Sequence, residues 1–345
     1  MRILYLLLAL CCAASLCLAD EPNTEPKNEP TNEKARKTYK EAVELVHMRR
    51  PGPALDEFKK ADKQDGGHCF GCQKQMIYYG TKFGDWKAAE LGAQEMIAEA
   101  QDPQGKAIAH YQMASVLMAE GFETHKDAVL AHAHDELVAA LASFSNFPDA
   151  YYLDGRVLAH LHQDEAAKAR FQEFVKRKPE HDVDSQRAML YVGNIELARA
   201  RMAPPFEVTT MDGQQLSMDE LRGKVVLLDF WATWCGPCRE ALPHMRSIAA
   251  KFHDEPLVVL SVNLDTDENK WKSFVAENKM NWPQCFGDGF SGQMARMFGV
   301  NAIPHTFTID ADGIVQDEKI GDASIEGKLK KLLARARDLQ ATQGR

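Results

Sequence analysis

The stretch Val225-Val226-Leu227-Leu228-Asp229-Phe230-Trp231-Ala232-Thr233-Trp234-Cys235-Gly236-Pro237-Cys238-Arg239 decides the reading of this 345-residue chain. Val225–Trp231 is apolar at every position except Asp229, the pattern of a strand buried on both faces. A helix is expected to start after Cys235. Unpaired backbone N–H groups and the helix dipole would stabilise a thiolate there. Cys238 lies one helical turn further on, close enough to form a disulfide yet shielded by its neighbours. The two sulfurs are therefore expected to differ: Cys235 as the exposed nucleophile toward a substrate disulfide, Cys238 as the thiol that resolves the mixed disulfide.

The elements around this stretch follow from pattern. After Ala203-Pro204-Pro205, residues 206–210 and 214–216 alternate around Met211-Asp212-Gly213 as in a hairpin. Residues 257–262 read as a second buried strand and 270–277 as a helix. Residues 306–309 and 314–319 flank the turn Asp310-Ala311-Asp312-Gly313, and 325–339 form an amphipathic helix. Strands alternating with helices imply an α/β sandwich.

Ala203-Pro204-Pro205-Phe206, the Asp212-Gly213 hairpin and Leu221-Arg222-Gly223-Lys224 leading into the Trp-Cys-x-x-Cys helix carry a resemblance. Residues 203–340 resemble the exported thioredoxin-like family typified by TlpA and ResA. The resemblance implies a thioredoxin fold, thiol–disulfide oxidoreductase activity without a cofactor, protein disulfide substrates and a membrane or periplasmic electron donor. It also implies roles at matching positions. Asp229 matches the buried carboxylate that helps deprotonate the resolving cysteine; many exported relatives have Asn there. Pro243 matches the proline that kinks the active-site helix. Pro304, in Ala302-Ile303-Pro304-His305, matches the cis-proline loop that pairs backbone with substrate. Trp234, Gly236, Pro237 and Ile303 complete the surround.

The pair Gly236-Pro237 is the one found in thioredoxins, whose potential is about −270 mV against about −120 mV for the oxidant DsbA. A reductant is the expectation. There are departures as well. Cytochrome-maturation relatives carry a Glu where this chain has Ala241, and Glu240 points about 100° away on a helix. His305 stands where Thr is more usual, and is expected to be partly exposed and inert. The opening of the domain also resembles peroxiredoxins, but their nucleophile motif would need Thr where Ala232 stands, which counts against a thiol peroxidase.

The N-terminal part reads differently. Arg2 followed by the uncharged residues 3–19 is the pattern of a secretory signal cut after Ala19, with an uncleaved anchor as the alternative. Residues 20–33 hold three Glu-Pro steps and no large apolar side chain, and are expected to form a disordered linker. Residues 34–202 are Ala-rich with helical spacing of apolar positions. Ala54, Ala89 and Ala167 recur at a spacing near 35 to 39 residues. Residues 148–179 resemble a tetratricopeptide repeat, with Gly155, Ala167 and Phe171 at its small and aromatic packing positions. About four helix pairs and a final helix near 184–201 are expected, forming an all-α repeat domain with a possible protein partner on its surface.

A second pair sits in His68-Cys69-Phe70-Gly71-Cys72. Gln73 replaces the His of a haem attachment site, and His68 alone is too few ligands for zinc, so no metal is expected. Cys69 and Cys72 read as a structural disulfide, with a redox relay to Cys235–Cys238 as the alternative. Cys285 is expected to be a buried, inert thiol. The i, i+2 histidine pairs His132/His134 and His160/His162 diverge on a helix and are expected at the surface. Acidic residues outnumber basic ones, 50 to 41, for a net charge of −9, which argues against a nucleic-acid partner. The competing function is a repeat scaffold carrying a redox-inactive thioredoxin domain.

Overall fold

The computed structural model describes residues 29–179, 182–218, 220–320 and 326–343. The expected signal, residues 1–19, and most of the expected linker lie outside the described residues. The chain divides between Arg199 and Ala200 into two compact units. No helix among the described residues is long and apolar enough to cross a membrane.

Among its described residues the first unit has only helices as regular elements. It comprises α1 (Glu33–His47), α2 (Pro51–Gln64), α3 (Phe70–Phe83), α4 (Trp86–Glu99) and α5 (Pro103–Thr124). Then come α6 (Asp127–Ser143), α7 (Pro148–His160), α8 (Asp164–Val175), α9 (Val183–Gly193) and α10 (Glu196–Arg199). Side-chain caps from Asn32, Asp85, Asp102 and Asp182 start α1, α4, α5 and α9. Pro51, Pro103 and Pro148 open α2, α5 and α7, where a missing N–H costs nothing.

Neighbouring helices pack in pairs, α1 on α2 through α7 on α8, and α2 on α3, α4 on α5, α6 on α7 and α8 on α9 join the pairs into a stack. This is the helical repeat architecture implied by the sequence. Ala54, Ala89 and Ala167 are all fully buried. Gly155 shows why a small residue recurs: a Cβ there would lie 2.7 Å from the Phe171 ring, so the ring rests on the α7 backbone. The last residues of the expected linker are tied down. The Asp65 carboxylate accepts from Thr31 N, Thr31 Oγ1 and Asn32 N at 2.8–3.0 Å.

The second unit is α/β. A hairpin of β1 (Glu207–Thr209) and β2 (Gln215–Ser217) precedes β3 (Val225–Trp231), α11 (Gly236–Lys251), β4 (Leu257–Asn263) and α12 (Glu268–Glu277). β5 (Gln284–Phe286), α13 (Gln293–Met297), β6 (His305–Ile309), β7 (Val315–Ile320) and α14 (Glu326–Gln343) complete it. The main sheet has the order β5-β4-β3-β6-β7, with β3, β4 and β5 parallel and β6 and β7 antiparallel to their neighbours. This is a thioredoxin fold.

β3 is buried along its whole length and separates two apolar layers. Val225, Leu227 and Trp231 pack with Cys235, Cys238, Leu242 and Ile248 on the α11 side, together with Leu329 and Leu333 of α14. Val226, Leu228 and Phe230 face the other way, toward Phe206, Phe298 and Phe307. Side chains alternate along a strand, so Asp229 shares the α11 side with the cysteines.

Candidate active site

The end of β3 and the start of α11 make the centre of the site. Cys235 is the N-cap of α11 with extended backbone, and its Sγ accepts the Cys238 N–H at 3.2 Å. A disulfide joins Cys235 to Cys238 across a Cα–Cα distance of 5.3 Å. Pro237 sits in the first turn, where no helical N–H partner is needed. Pro243 lies inside α11 and has no N–H to offer the Arg239 carbonyl.

The expected difference in exposure between the two sulfurs is absent in this disulfide form. Cys235 is 5% exposed and Cys238 4%. Both residues are buried, and Trp234 and Pro237 are what reach solvent. Any asymmetry of role therefore rests on position: Cys235 holds the cap, while Cys238 lies inside the first turn.

Asp229 sits on the β3 face that packs against α11. It is buried, and its Oδ2 accepts one hydrogen bond, from Ser261 Oγ at 3.1 Å. The same hydroxyl accepts from Trp282 Nε1 at 2.9 Å. Burial pushes the Asp229 carboxyl up to about 7, opposed by the Ser261 bond. The group can therefore exchange a proton near neutrality.

A second buried carboxylate escaped the sequence reading. Asp265, just past β4, accepts from Thr233 N at 2.9 Å, Thr233 Oγ1 at 2.7 Å and Asn263 Nδ2 at 2.7 Å. It pins the residue two positions before Cys235 to the end of the neighbouring strand. The available signal was a cluster of polar residues, Asn263 and Asp265, at the carboxyl end of a parallel strand, the edge where α/β sheets place their sites.

The Ile303–Pro304 peptide is cis and leads directly into β6. Ile303 is half-buried against both apolar layers. His305 departs from expectation: it is 1% exposed, not at the surface. Its ring stacks on Phe307 at 4.7 Å, and Nε2 lies 2.9 Å from Glu318 Oε1. Glu318 also pairs with Arg201 at 2.6 Å. Burial pushes the Glu318 carboxyl up, but the bonds from His305 and Arg201 outweigh it and hold the group below its usual range. His305 pairs with Phe230 across the ladder and lies on the sheet face away from α11. Glu240 is exposed and Ala241 half-buried on α11.

The second cysteine pair repeats the local geometry in the helical unit. Cys69 caps α3, its Sγ accepts the Cys72 N–H at 3.1 Å, and a disulfide joins the two. Both are fully buried. Cys285 in β5 is buried too, which pushes its thiol up to about 12. The histidines expected at the surface are partly drawn in. His134 Nδ1 lies 2.6 Å from Oδ1 of the fully buried Asp154, and burial lowers His160 to about 3. Among the described residues no group of three or more His, Cys, Asp or Glu side chains could hold a metal ion.

A model of the AhpC/TSA family matches residues 200–318. The thiol-disulfide oxidoreductase ResA of Bacillus anthracis is 32% identical over 133 residues, which are 38% of this chain and 76% of that protein. The thioredoxin-like protein YneN of Bacillus subtilis is 29% identical over 142 residues, 40% of this chain and 81% of YneN. A solved structure of a putative thiol:disulfide interchange protein DsbE from Chlorobium tepidum is 32% identical, with a TM-score of 0.35. The alignment covers 40% of this chain and 96% of that one. Identity at this level over three quarters of ResA, centred on a bonded Cys-x-x-Cys at a helix start, places the chain in the ResA-type family of thiol-disulfide oxidoreductases.

Proposed function

We propose that this chain is an exported reductant of protein disulfides. In the reduced enzyme the Cys235 thiolate attacks one sulfur of a substrate disulfide, forming a mixed disulfide and releasing the first substrate thiolate. Asp229 then takes the Cys238 proton. The Cys238 thiolate attacks Cys235 Sγ, the second substrate thiol leaves, and the Cys235–Cys238 bond closes. Two electrons pass from the enzyme dithiol to the substrate, and an external dithiol donor restores the enzyme by the same exchange. The backbone before Pro304 pairs with the substrate chain, and Trp234, Gly236, Pro237 and Ile303 line its path. No cofactor takes part.

The observation that carries this reading is the placement of the bonded pair at the start of α11, over the sheet face that bears Asp229. Export rests on the apolar run 3–19 after Arg2. The division 34–202 and 203–340 assigns partner binding to the repeats and chemistry to the thioredoxin domain, with Cys69–Cys72 as a structural staple.

Equilibrating the full-length protein against graded glutathione buffers tests the direction of transfer. A potential near that of thioredoxin, about −270 mV, is expected. A value near about −120 mV would make the protein an oxidant. In Cys238→Ser the mixed disulfide should persist and capture client proteins on Cys235; binding that depends on the repeats and ignores the cysteines would instead support the scaffold.

A further inference from the structure

Two large aromatic side chains lie at the surface in contact with each other, and one of them, Trp234, immediately precedes Cys235. Trp234 is 54% exposed and Phe290 39%. Their ring centroids are 6.4 Å apart, with the planes at 52°. A single exposed aromatic is ordinary, but two in contact beside a nucleophile form a patch.

They come from different loops. Trp234 precedes Cys235 on the β3–α11 connection. Phe290 lies between β5 and α13 in Gly287-Asp288-Gly289-Phe290-Ser291-Gly292. That loop depends on its glycines. A Cβ on Gly292 would fall 1.6 Å from the Gly287 carbonyl oxygen, and one on Gly287 would fall 2.7 Å from Val262 Cγ1. Asp288 and Gly289 have φ of 53° and 70°. The chain folds back on itself and carries Phe290 outward.

Both loops are fastened to the carboxyl end of β4. Gly287 N donates to Asn263 O at 2.7 Å. The Asn263 amide holds Asp265, which in turn binds Thr233 next to Trp234. One segment thus sets the spacing of the two rings.

We infer that Trp234 and Phe290 form a platform for a large apolar side chain flanking the reacting cysteine of an extended substrate segment. The occupant is a polypeptide because the platform adjoins the nucleophile. Neighbouring Cα atoms lie about 3.8 Å apart, so a side chain one or two positions from a substrate sulfur reaches the rings. It is apolar because both rings offer wide apolar faces to solvent. Phe290 is then a specificity-determining residue, and the preferred substrates are disulfides in unfolded or locally extended chains. This inference rests on Cys235 as the attacking thiol.

The test uses the full chain and two short disulfide peptides that differ only in the residue after one cysteine, Phe or Ser. The expected kcat/KM ratio is about tenfold in favour of Phe, expressed in KM rather than kcat. Phe290→Ser should bring the ratio near one, and Phe290→Tyr should keep it. No preference in the parent protein, or a preference untouched by Phe290→Ser, overturns the inference. So would dimerisation in sedimentation that Phe290→Ser abolishes, since the patch would then be a contact between copies. If the parent protein reduces neither peptide nor oxidised glutathione, it is the exchange reading that fails. The platform is then decided by whether an S-methylated Phe peptide binds the parent protein more tightly than Phe290→Ser.

Discussion

Asp229 and Ser261 stand opposite each other on the parallel β3–β4 ladder, and Ser261 spends its hydroxyl proton on the Asp229 carboxylate at 3.1 Å. Trp282 Nε1 donates to Ser261 Oγ, so the chain of bonds runs from Trp282 through Ser261 to Asp229. One neutral donor does not offset the burial of a carboxylate. The result is an acid that titrates near neutrality, as the proposed deprotonation of Cys238 requires.

Replacing Asp229 by Asn should therefore have opposite effects on stability and on turnover. The folded value, about 7, lies above the ordinary 3.8. The native state keeps the proton over the window from about pH 4 to about pH 7, where the unfolded chain has lost it. Stability falls as pH rises through that window and levels off above it. Asp229→Asn removes this penalty. It should be more stable than the parent protein above pH 7, by at most about 4 kcal/mol, with the advantage vanishing toward pH 4. Urea unfolding at both ends of the window measures it. Resolution of the mixed disulfide should slow by about tenfold or more. A stability difference independent of pH would assign the titration to another group.

Asp265 should act on Cys235 through the loop. Asp265→Ala leaves the Thr233 N–H, its hydroxyl and the Asn263 amide without their shared acceptor, a loss of about 3 kcal/mol or more. Freed from that anchor, Cys235 holds its cap position for less of the time, and the reduced protein should alkylate at Cys235 more slowly at neutral pH. The pH profile of iodoacetamide alkylation of the reduced protein reads this directly. An unchanged profile would mean that Thr233 anchoring does not set the reactivity of Cys235.

The main elements were legible because each is written locally. Val225–Trp231 matches β3 residue for residue, and Cys235 marks the start of α11. The strand at residues 206–210, the turn at 310–313 and the helical repeats also follow from nearest-neighbour pattern. What was missed depends on register. Asp265 finds Thr233 only because β3 and β4 align at their ends, a relationship between residues 32 apart. His305 is buried against Phe307 with Glu318 of β7 as its partner, an arrangement set by the β6–β7 register that no window around His305 contains. Phe290 is an aromatic in a loop, and loop sequence does not say whether such a ring faces core or solvent. The near-equal burial of Cys235 and Cys238, 5% and 4% exposed, depends on how the β3–α11 connection packs, which the local pattern does not contain.

The Cys69–Cys72 bond should matter for stability and not for turnover. Both residues are fully buried, so no partner sulfur reaches them without opening the helical unit. Closing so short a loop contributes about 2 kcal/mol in the chain-entropy account. Cys69→Ser with Cys72→Ser should lower the midpoint of unfolding while insulin reduction in dithiothreitol stays at the parent rate. Retained stability together with failed turnover by a protein donor would point to a relay.

Gly155→Ala separates helix propensity from packing. In an unpacked helix the change would stabilise by about 1 kcal/mol. Here the new Cβ would stand 2.7 Å from Phe171 Cε1 and 2.9 Å from Cδ1 and Cζ. The Phe171 ring has little room to retreat, since Tyr152 and Tyr191 pack on it at 5.7 and 5.1 Å and it is fully buried. The overlap has to be relieved by parting α7 from α8, which should outweigh the propensity gain and leave a net loss of about 1–3 kcal/mol. The double variant Gly155→Ala, Phe171→Leu should lose less than the sum of the two single changes, because the smaller side chain makes room for the methyl. A stabilised Gly155→Ala would show that the ring does not rest on the α7 backbone.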